Sequence, residues 1–182
     1  GSHLLLFEKR NRIGLASCAC LGLVLFSLDS LRTRLEITGS PHITPVKANA
    51  IFTLIKGRPM LYNYEQYSRR CELLHAAVKG ADYDDIAFHE GNVPKDVMDH
   101  FRNKYNIRFA DVHDYGGFTM PNRVAPKNLR GPSEYPDGYK HMCRFFALQW
   151  MFILQKYEYA MRVDEDVFVH HMPKNPFTFM HR

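Results

Sequence analysis

The stretch YEYAMRVDEDVFV, residues 157–169, places three consecutive acids, Asp164, Glu165 and Asp166, between apolar segments. Adjacent carboxylates repel one another, and a solvent-exposed turn does not require valine on both sides of them. The apolar, partly β-branched residues around the acids are typical of a buried strand. The stretch therefore predicts a strand over residues 158–169 whose acids face a positively charged partner.

Apolar segments and helical patterns alternate along the chain before this strand. A continuous apolar run at residues 48–55 predicts a strand that is buried on both faces. Further strands are predicted at residues 83–92 and 107–117, and helices at residues 60–80, 93–106 and 139–157. This order is the pattern of an α/β fold, a mostly parallel sheet flanked by helices. Ligands of such sheets bind outside the carboxyl ends of the strands, where the three acids fall.

Composition and charge exclude several classes of protein. Hydrophobic residues make up 46% of the 182 residues, so the chain can bury a core and is not disordered overall. The formal net charge is +5, but no arginine-rich run or zinc-finger spacing indicates a nucleic-acid partner. Cys71 and Cys143 either form one disulfide in an oxidising compartment or stay as buried free thiols.

An uncharged apolar segment within residues 13–31 follows the basic residues Lys9, Arg10 and Arg12. Its length and its charged flank predict a single-pass signal anchor with a cytoplasmic N-terminus. A cleaved signal peptide and a buried core helix are the alternatives, and anchor and signal peptide alike send the rest of the chain into the secretory pathway. The predicted organisation is a tail (residues 1–12), the anchor (13–31), a stem (32–47) and a globular domain (48–182).

Asp164 and Asp166 form an Asp-x-Asp pair at the end of the predicted strand. Residues two apart in an extended chain point the same way, so both carboxylates can reach one side of the strand end. Hard oxygen ligands in this arrangement suit Mg²⁺ or Mn²⁺, above all when the phosphates of a ligand complete the coordination. The alternative interpretation is a solvated acidic turn without a metal.

Two separated blocks of sequence resemble one known family. YKHMCRF (residues 139–145) and YEYAMRVDEDV (residues 157–167) are similar to the Tyr-Arg-His-Met-Cys-Arg and Tyr-x-Tyr-x-x-Arg-Val-Glu-Pro-Asp-Val motifs of the fungal α-1,2-mannosyltransferase family, glycosyltransferase family 15. A weaker resemblance extends back to residue 48. The chain departs from the family at Asp164, where the family has Glu, and at Glu165, where it has Pro. The segment after the first block also differs, which is consistent with a sister family of nucleotide-diphospho-sugar transferases.

The resemblance implies a GT-A fold and a metal-dependent glycosyltransferase. Such an enzyme is a type II, single-pass protein of the Golgi membrane with a luminal catalytic domain. It transfers mannose from GDP-mannose, with Mn²⁺ or Mg²⁺, to a glycan acceptor on a glycoprotein or glycolipid. The catalytic carboxylate of the family is expected after Arg182, so the chain is expected to hold only the N-terminal, nucleotide-binding half of the fold.

The resemblance also assigns roles to individual residues. Asp166 is the principal metal ligand, with Asp164 beside it. Arg162 either braces the acids or faces the nucleotide, and Arg144 either meets a phosphate or pairs with a structural acid. The residues expected to bind the nucleotide sugar are Thr53, Lys56, Arg58, Arg144, Arg162 and Asp164.

Two other functions compete with this interpretation. A membrane-anchored protein that keeps the fold for nucleotide-sugar binding or partner interaction, without catalysis, would show the same motifs. A metal-dependent phosphohydrolase would need further ligands at other strand ends, and His89 and Asp111 are the candidates.

Overall fold

The computed structural model describes residues 16–18, 23–27, 41–118, 137–172 and 175–180. The described strands form a single sheet in the order β1-β2-β6-β3-β4-β5. Their bounds are β1 Ala16–Cys18, β2 Leu23–Ser27, β3 Asn49–Leu54, β4 Tyr83–His89, β5 Arg108–Asp111 and β6 Tyr159–Val163. The last four are parallel to one another, whereas β1 and β2 are antiparallel additions beside β6.

Helices connect the parallel strands. Their bounds are α1 Glu65–Ala77, α2 Lys95–Tyr105, α3 Asp137–Arg144, α4 Trp150–Ile153 and α5 Pro176–Met180. A π-helical segment, Phe145–Gln149, joins α3 to α4, and 3₁₀ turns lie at Leu61–Tyr64 and Val112–Tyr115. α2 starts after Pro94 and stops at Asn106, whose φ of 56° is the left-handed conformation that commonly ends a helix.

The core lies on both faces of the sheet because side chains alternate along each buried strand. On one face, Phe52 of β3 stacks on Trp150 with ring centres 4.8 Å apart. On the other face, Ile51 packs with residues of α1 such as Leu74. A strand that is apolar on both faces can only be stable between two helical layers, which explains the continuous apolar run at residues 48–55.

The predicted α/β architecture is confirmed, and the predicted strands and helices differ from the observed ones mainly at their ends. Residues 41–47, which the sequence assigns to the stem, pack on the domain instead. Ile43 is buried there, and its N–H donates to the carbonyl oxygen of Ile153 at 3.0 Å. Cys71 is buried, Cys143 is exposed, and both are free, so they do not form a disulfide.

The predicted anchor differs from the structure where residues 13–31 are described. β1 and β2 are extended there, and β2 pairs with β6 from Leu23 opposite Val163 to Ser27 opposite Tyr159. An exposed edge of β6 would present unpaired N–H and C=O groups, which a neighbouring strand satisfies. An apolar segment can therefore satisfy its backbone by pairing with β6 as well as by forming a helix. The remaining residues of the predicted anchor, and those of the predicted tail, lie outside the described residues. No helix within the described part of the chain is long and apolar enough to cross a membrane.

Candidate functional site

An opening in the sheet lies directly before the acidic residues. β3 and β6 pair as far as Phe52 and Arg162, whereas β3 and β4 stay paired as far as Leu54 and Phe88. β3 and β6 therefore stop pairing near their carboxyl ends, and the chain of β6 continues into Asp164. β6 lies on one side of β3 and β4 on the other, and open α/β sheets bind ligands where the strand order reverses in this way.

A turn carries the acids away from β6. The N–H of Val167 donates to the carbonyl oxygen of Asp164 at 3.2 Å, which closes a turn with Glu165 and Asp166 at its centre. Glu165 occupies the first central position, which proline also favours in the common turn types. A turn of this kind therefore accommodates either Glu or the Pro of the resembled family. Asp166 is exposed, and its carboxylate has no ion-pair partner within the described residues.

Asp164 is held by Arg162, two residues earlier in the chain. Nε of Arg162 lies 2.6 Å from Oδ1 of Asp164, and Nη2 lies 2.7 Å from Oδ2. Such two-point contact is among the stronger side-chain hydrogen-bonding arrangements. The guanidinium carbon also lies 3.4 Å from the centre of the Phe146 ring, a cation–π contact. Of the two roles expected for Arg162, the structure therefore shows the one in which it braces the acids.

Glu165 reaches across the opening to Arg58, in the loop that follows β3. Nη1 of Arg58 lies 3.0 Å from Oε2 of Glu165, and Nη2 lies 2.8 Å from Oε1. The backbone N–H of Lys56 adds a longer hydrogen bond, 3.4 Å, to Oε2. The hydrogen bonds that Arg58 donates to Glu165 raise the pKa of Arg58, so the guanidinium stays charged. The Arg58–Glu165 ion pair thus joins the two sides of the opening.

Arg58 is held in place independently of Glu165. The hydroxyl of Tyr64 accepts a hydrogen bond from the N–H of Arg58 at 2.7 Å and donates one to its carbonyl oxygen at 3.0 Å. The guanidinium carbon lies 5.4 Å from the centre of the same tyrosine ring. Gly57 is required by a close approach, because a Cβ there would lie 2.6 Å from the carbonyl oxygen of Asn92. The loop that carries Arg58 is therefore fixed by its own contacts.

A buried ion pair between α1 and β4 holds Val163, the last residue of β6. Arg70 of α1 is fully buried, and its Nη1 lies 3.1 Å from Oδ2 of Asp85 in β4. Its Nη2 donates to the carbonyl oxygen of Val163 at 3.3 Å, directly before the acids. Burial alone would raise the pKa of Asp85, but the Arg70 charge and a hydrogen bond with His75 outweigh burial and lower it. The base of the acidic turn is thus tied to two other elements.

A second polar group lies where β4 and β5 end. Nδ1 of His89 accepts a hydrogen bond from the N–H of Gly91 at 3.0 Å, and burial lowers the pKa of this imidazole. Oδ1 of Asp111 lies 2.9 Å from the N–H and 2.8 Å from Nδ1 of His113. Both interactions are local and support the turns after the strands. They do not assemble the ligand set that a phosphohydrolase would need.

The other residues expected to bind the nucleotide sugar have different environments. Lys56 is exposed beside the opening, and Arg144 is the partly buried last residue of α3. Thr53 is fully buried on the face of β3 that packs against α1 and α2, and its hydroxyl has no hydrogen-bond partner within the described residues, so its contact with a ligand stays a prediction. β3 ends at Leu54, inside the predicted strand at residues 48–55, and Ile55 after it is still buried.

The described residues contain no group of three or more His, Cys, Asp or Glu side chains that could hold a metal ion. Sequence reasoning also missed three residues of the site, namely Tyr64, Arg70 and Glu165 as a partner of Arg58. Tyr64 and Arg70 belong to the periodic pattern of a helical segment and look like ordinary residues of it. The only signal for Glu165 was its position within three consecutive acids that lack a cation next to them in sequence.

The described fold, a parallel α/β sheet flanked by helices, is similar to that of a solved glycosyltransferase. The particular similarity is to the X-ray structure of the mannosyltransferase Ktr4p from S. cerevisiae, with a TM-score of 0.59 and 16% sequence identity. The match covers 78% of this chain and 41% of that chain, so the matched part spans less than half the length of the mannosyltransferase chain. At this identity the likeness shows the fold alone.

No family model matches the chain. No curated protein matches it either. The glycosyltransferase-like fold implied by the sequence resemblance is therefore supported by structure, whereas membership of the α-1,2-mannosyltransferase family stays a prediction.

Proposed function

We propose that the chain is the donor-binding part of a metal-dependent glycosyltransferase that moves a hexose from a nucleotide sugar to a glycan. The expected donor is GDP-mannose, and the expected acceptor is a glycan of a glycoprotein or glycolipid. The observation that carries the proposal is the acidic turn at residues 164–166, which lies at the opening between β3 and β6 and faces Arg58. A neighbour of the same fold is a mannosyltransferase, which supports this class of activity.

The charges at the opening suit a diphosphate and a divalent cation together. Asp166 offers an exposed carboxylate on one side, and Arg58 and Lys56 offer positive charge on the other. A nucleotide diphospho-sugar needs both, because its phosphates are stabilised by a cation and by the guanidinium fork that arginine provides. The sugar would then lie beyond the carboxyl ends of the strands, where an acceptor can approach.

The residues fit Mn²⁺ or Mg²⁺ only if the ligand supplies part of the coordination. Asp166 would hold the ion with Asp164 beside it, although both oxygens of Asp164 already accept hydrogen bonds from Arg162. Sites with one or two carboxylates completed by substrate phosphates are common for these hard cations. When bound, the ion would stabilise the negative charge that develops on the leaving nucleoside diphosphate.

Calorimetric titration of the 182-residue chain with GDP-mannose, with and without Mn²⁺, tests the proposal. We expect Mn²⁺-dependent binding that weakens about tenfold or more in an Asp164→Ala/Asp166→Ala double variant. An Asp96→Ala/Asp99→Ala variant, which removes two acids from α2, is the matched control and should bind like the wild type. If the folded chain binds neither GDP-mannose nor any other nucleotide sugar, a non-catalytic interaction protein becomes the better interpretation.

Location in the Golgi membrane and anchoring by residues 13–31 are proposals that rest on the sequence and on the resemblance. The anchor is an alternative to the pairing of β2 with β6, because residues 23–27 cannot form a strand of the sheet and a membrane-spanning helix at the same time. Alkaline extraction of membranes from cells that express the chain would test the anchor. An integral protein stays in the pellet after extraction, whereas a protein without an anchor is released.

A further inference from the structure

The carboxylate of Glu165 occupies donors of the kind that bind phosphate groups. It takes two hydrogen bonds from the guanidinium fork of Arg58, at 2.8 and 3.0 Å, and one from the backbone N–H of Lys56. A planar fork with an adjacent amide N–H binds phosphate as readily as carboxylate. The side chain of Glu165 therefore has the position and charge that an anionic ligand would take.

The ion pair is accessible enough to exchange its partner. The side chains of Arg58 and Glu165 are 24% and 23% exposed, whereas those of Arg70 and Asp85 are 0% and 3% exposed. Partly exposed pairs contribute little net free energy because water competes for both charges. A ligand with more negative charge than one carboxylate can therefore replace Glu165 on Arg58.

The cation stays in place when the anion leaves, because different contacts hold the two residues. Tyr64 fixes the backbone of Arg58 on both its N–H and its carbonyl oxygen. Glu165 stands at the centre of a partly exposed turn, and apart from Arg58 its carboxylate bonds only to the N–H of Lys56 within the described residues. Replacement of Glu165 would then leave a preformed cationic site at the edge of the opening.

We propose that Glu165 is an internal substitute for the anionic group of the ligand. In the free chain it closes the opening between β3 and β6 by pairing with Arg58. A phosphate group displaces the Glu165 carboxylate and takes over the hydrogen bonds of Arg58 and of the Lys56 N–H. The location of the phosphate rests on the proposed function, but competition between Glu165 and an anion can be tested without a nucleotide.

Titration of the full chain with inorganic pyrophosphate, without metal, measures this competition. Glu165→Gln keeps the shape of the side chain and removes its charge, so we expect it to bind pyrophosphate about three- to fivefold more tightly than the wild type. Arg58→Met should weaken binding about tenfold or more, and Arg58→Lys should fall between it and the wild type because it keeps the charge without the fork. Circular dichroism of each variant verifies that it is folded.

Glu72→Gln is the matched control for net charge. Glu72 is also an ion-paired acid, but its partners within the described residues, Lys104, Arg69 and Tyr105, lie in α1 and α2 and not in the acidic turn or in the loop after β3. An equal gain in affinity from Glu72→Gln would assign the effect to net charge and overturn the proposal. Unchanged or weaker binding by Glu165→Gln would also overturn it.

The outcomes separate this proposal from the proposed function. GDP-mannose binding that depends on Mn²⁺ and on Asp166, but is insensitive to Glu165→Gln, would support the proposed function and reject the role of Glu165. Pyrophosphate binding that responds to Glu165→Gln and Arg58→Met, in a chain that binds no nucleotide sugar, would support the role of Glu165 and reject the proposed function.

Discussion

Two arginine–carboxylate–tyrosine groups stand at opposite ends of the parallel sheet, and they differ in how completely the acid is bonded. At the amino end, Asp84 of β4 accepts hydrogen bonds from Arg108 at 2.6 Å and from the hydroxyl of Tyr157 at 2.7 Å. It also accepts from the backbone N–H groups of Val46 and Lys47. At the carboxyl end, Glu165 is bonded to Arg58 and to a single backbone N–H.

The difference in bonding matches a difference in burial. The side chain of Asp84 is 6% exposed, and its partners come from β5, from the residues before β6 and from the segment that precedes β3. A buried acid whose Oδ2 accepts four hydrogen bonds from three other segments of the chain stabilises the fold. An acid at an opening, held by a cation that is itself fixed elsewhere, can be replaced. We infer structural importance for the first group and functional importance for the second.

Removal of the charge at the amino end should have the largest effect. Asp84→Asn leaves the Arg108 guanidinium without its carboxylate partner and replaces a charged acceptor, to which four donors bond, by a weaker neutral one. We expect the free energy of unfolding to fall by about 3 kcal/mol. Urea denaturation at pH 7 measures it. Asp82→Asn, two residues earlier and exposed, is the control and should change little; a similarly small loss for Asp84→Asn would contradict the comparison.

Removal of a tyrosine hydroxyl from each group should lower stability less than Asp84→Asn does, and should affect ligand affinity only at the carboxyl end of the sheet. Tyr157→Phe removes a hydroxyl that donates to Asp84 and should lower the free energy of unfolding by about 1.5 kcal/mol, without effect on ligand affinity. Tyr64→Phe removes the hydroxyl that fixes the backbone of Arg58, so it should also weaken pyrophosphate binding. Urea denaturation and pyrophosphate titration of both variants measure the free energy of unfolding and the affinity of each. If Tyr157→Phe weakened pyrophosphate binding and Tyr64→Phe did not, the Asp84 group would be the functional one and the Glu165 group the structural one.

Loss of the Glu165 charge should change stability only slightly. Glu165→Gln breaks a partly exposed ion pair, and such pairs contribute under about 1 kcal/mol to the free energy of unfolding. The same denaturation experiment checks it. A loss as large as that of Asp84→Asn would show that Glu165 is a structural residue and not a replaceable one.

The smallest expected effect is a pH dependence at the carboxyl end of β4. Burial lowers the pKa of His89 in the folded state below its unfolded value of about 6.5. The unfolded state then binds more protons as the pH falls through this range, so the stability from neutral His89 is present above about pH 6.5 and is lost below it. Asn in its place keeps an acceptor for the Gly91 N–H and cannot be protonated.

Thermal unfolding at pH 7.5 and 5.5 measures this effect. We expect the wild type to lose more stability between the two pH values than His89→Asn does. His171→Asn, which changes an exposed histidine, should follow the wild type. Equal pH dependence in all three proteins would show that His89 is not responsible.

The parallel sheet could be predicted because its signals are local. The apolar run of β3 ends at Gly57 and Pro59, and the helical pattern of α1 stops at Gly80, so each element is bounded by residues close to it in sequence. Nothing local specifies that Leu23–Ser27 lies beside β6, since an apolar segment of this kind suits a helix as well as a strand. The π-helical segment within the predicted helix over residues 139–157 has no sequence signal that we can identify.

The candidate site follows the same division: its local contacts could be predicted from the sequence, and its long-range contacts could not. From the sequence alone, three adjacent acids at a strand end predict a positively charged partner. Arg162 is a candidate partner of Asp164 because residues two apart in a strand point the same way. The partner of Glu165 was not available in this way, because Arg58 is 107 residues away and only the parallel arrangement of β3 and β6 brings them together. Burial of Thr53, by contrast, follows from its place inside the apolar run at residues 48–55, which predicts a strand buried on both faces.

The alternation of side chains in β6 also restricts how this gene can change. Arg162 lies against Phe146 on one face of the sheet, and Val163 packs with Leu74 on the other. Deletion or insertion of one codon within the strand would exchange these two faces and place a guanidinium among aliphatic side chains. Changes of length in descendants of this sequence must therefore preserve the parity of residues between Tyr159 and Asp164.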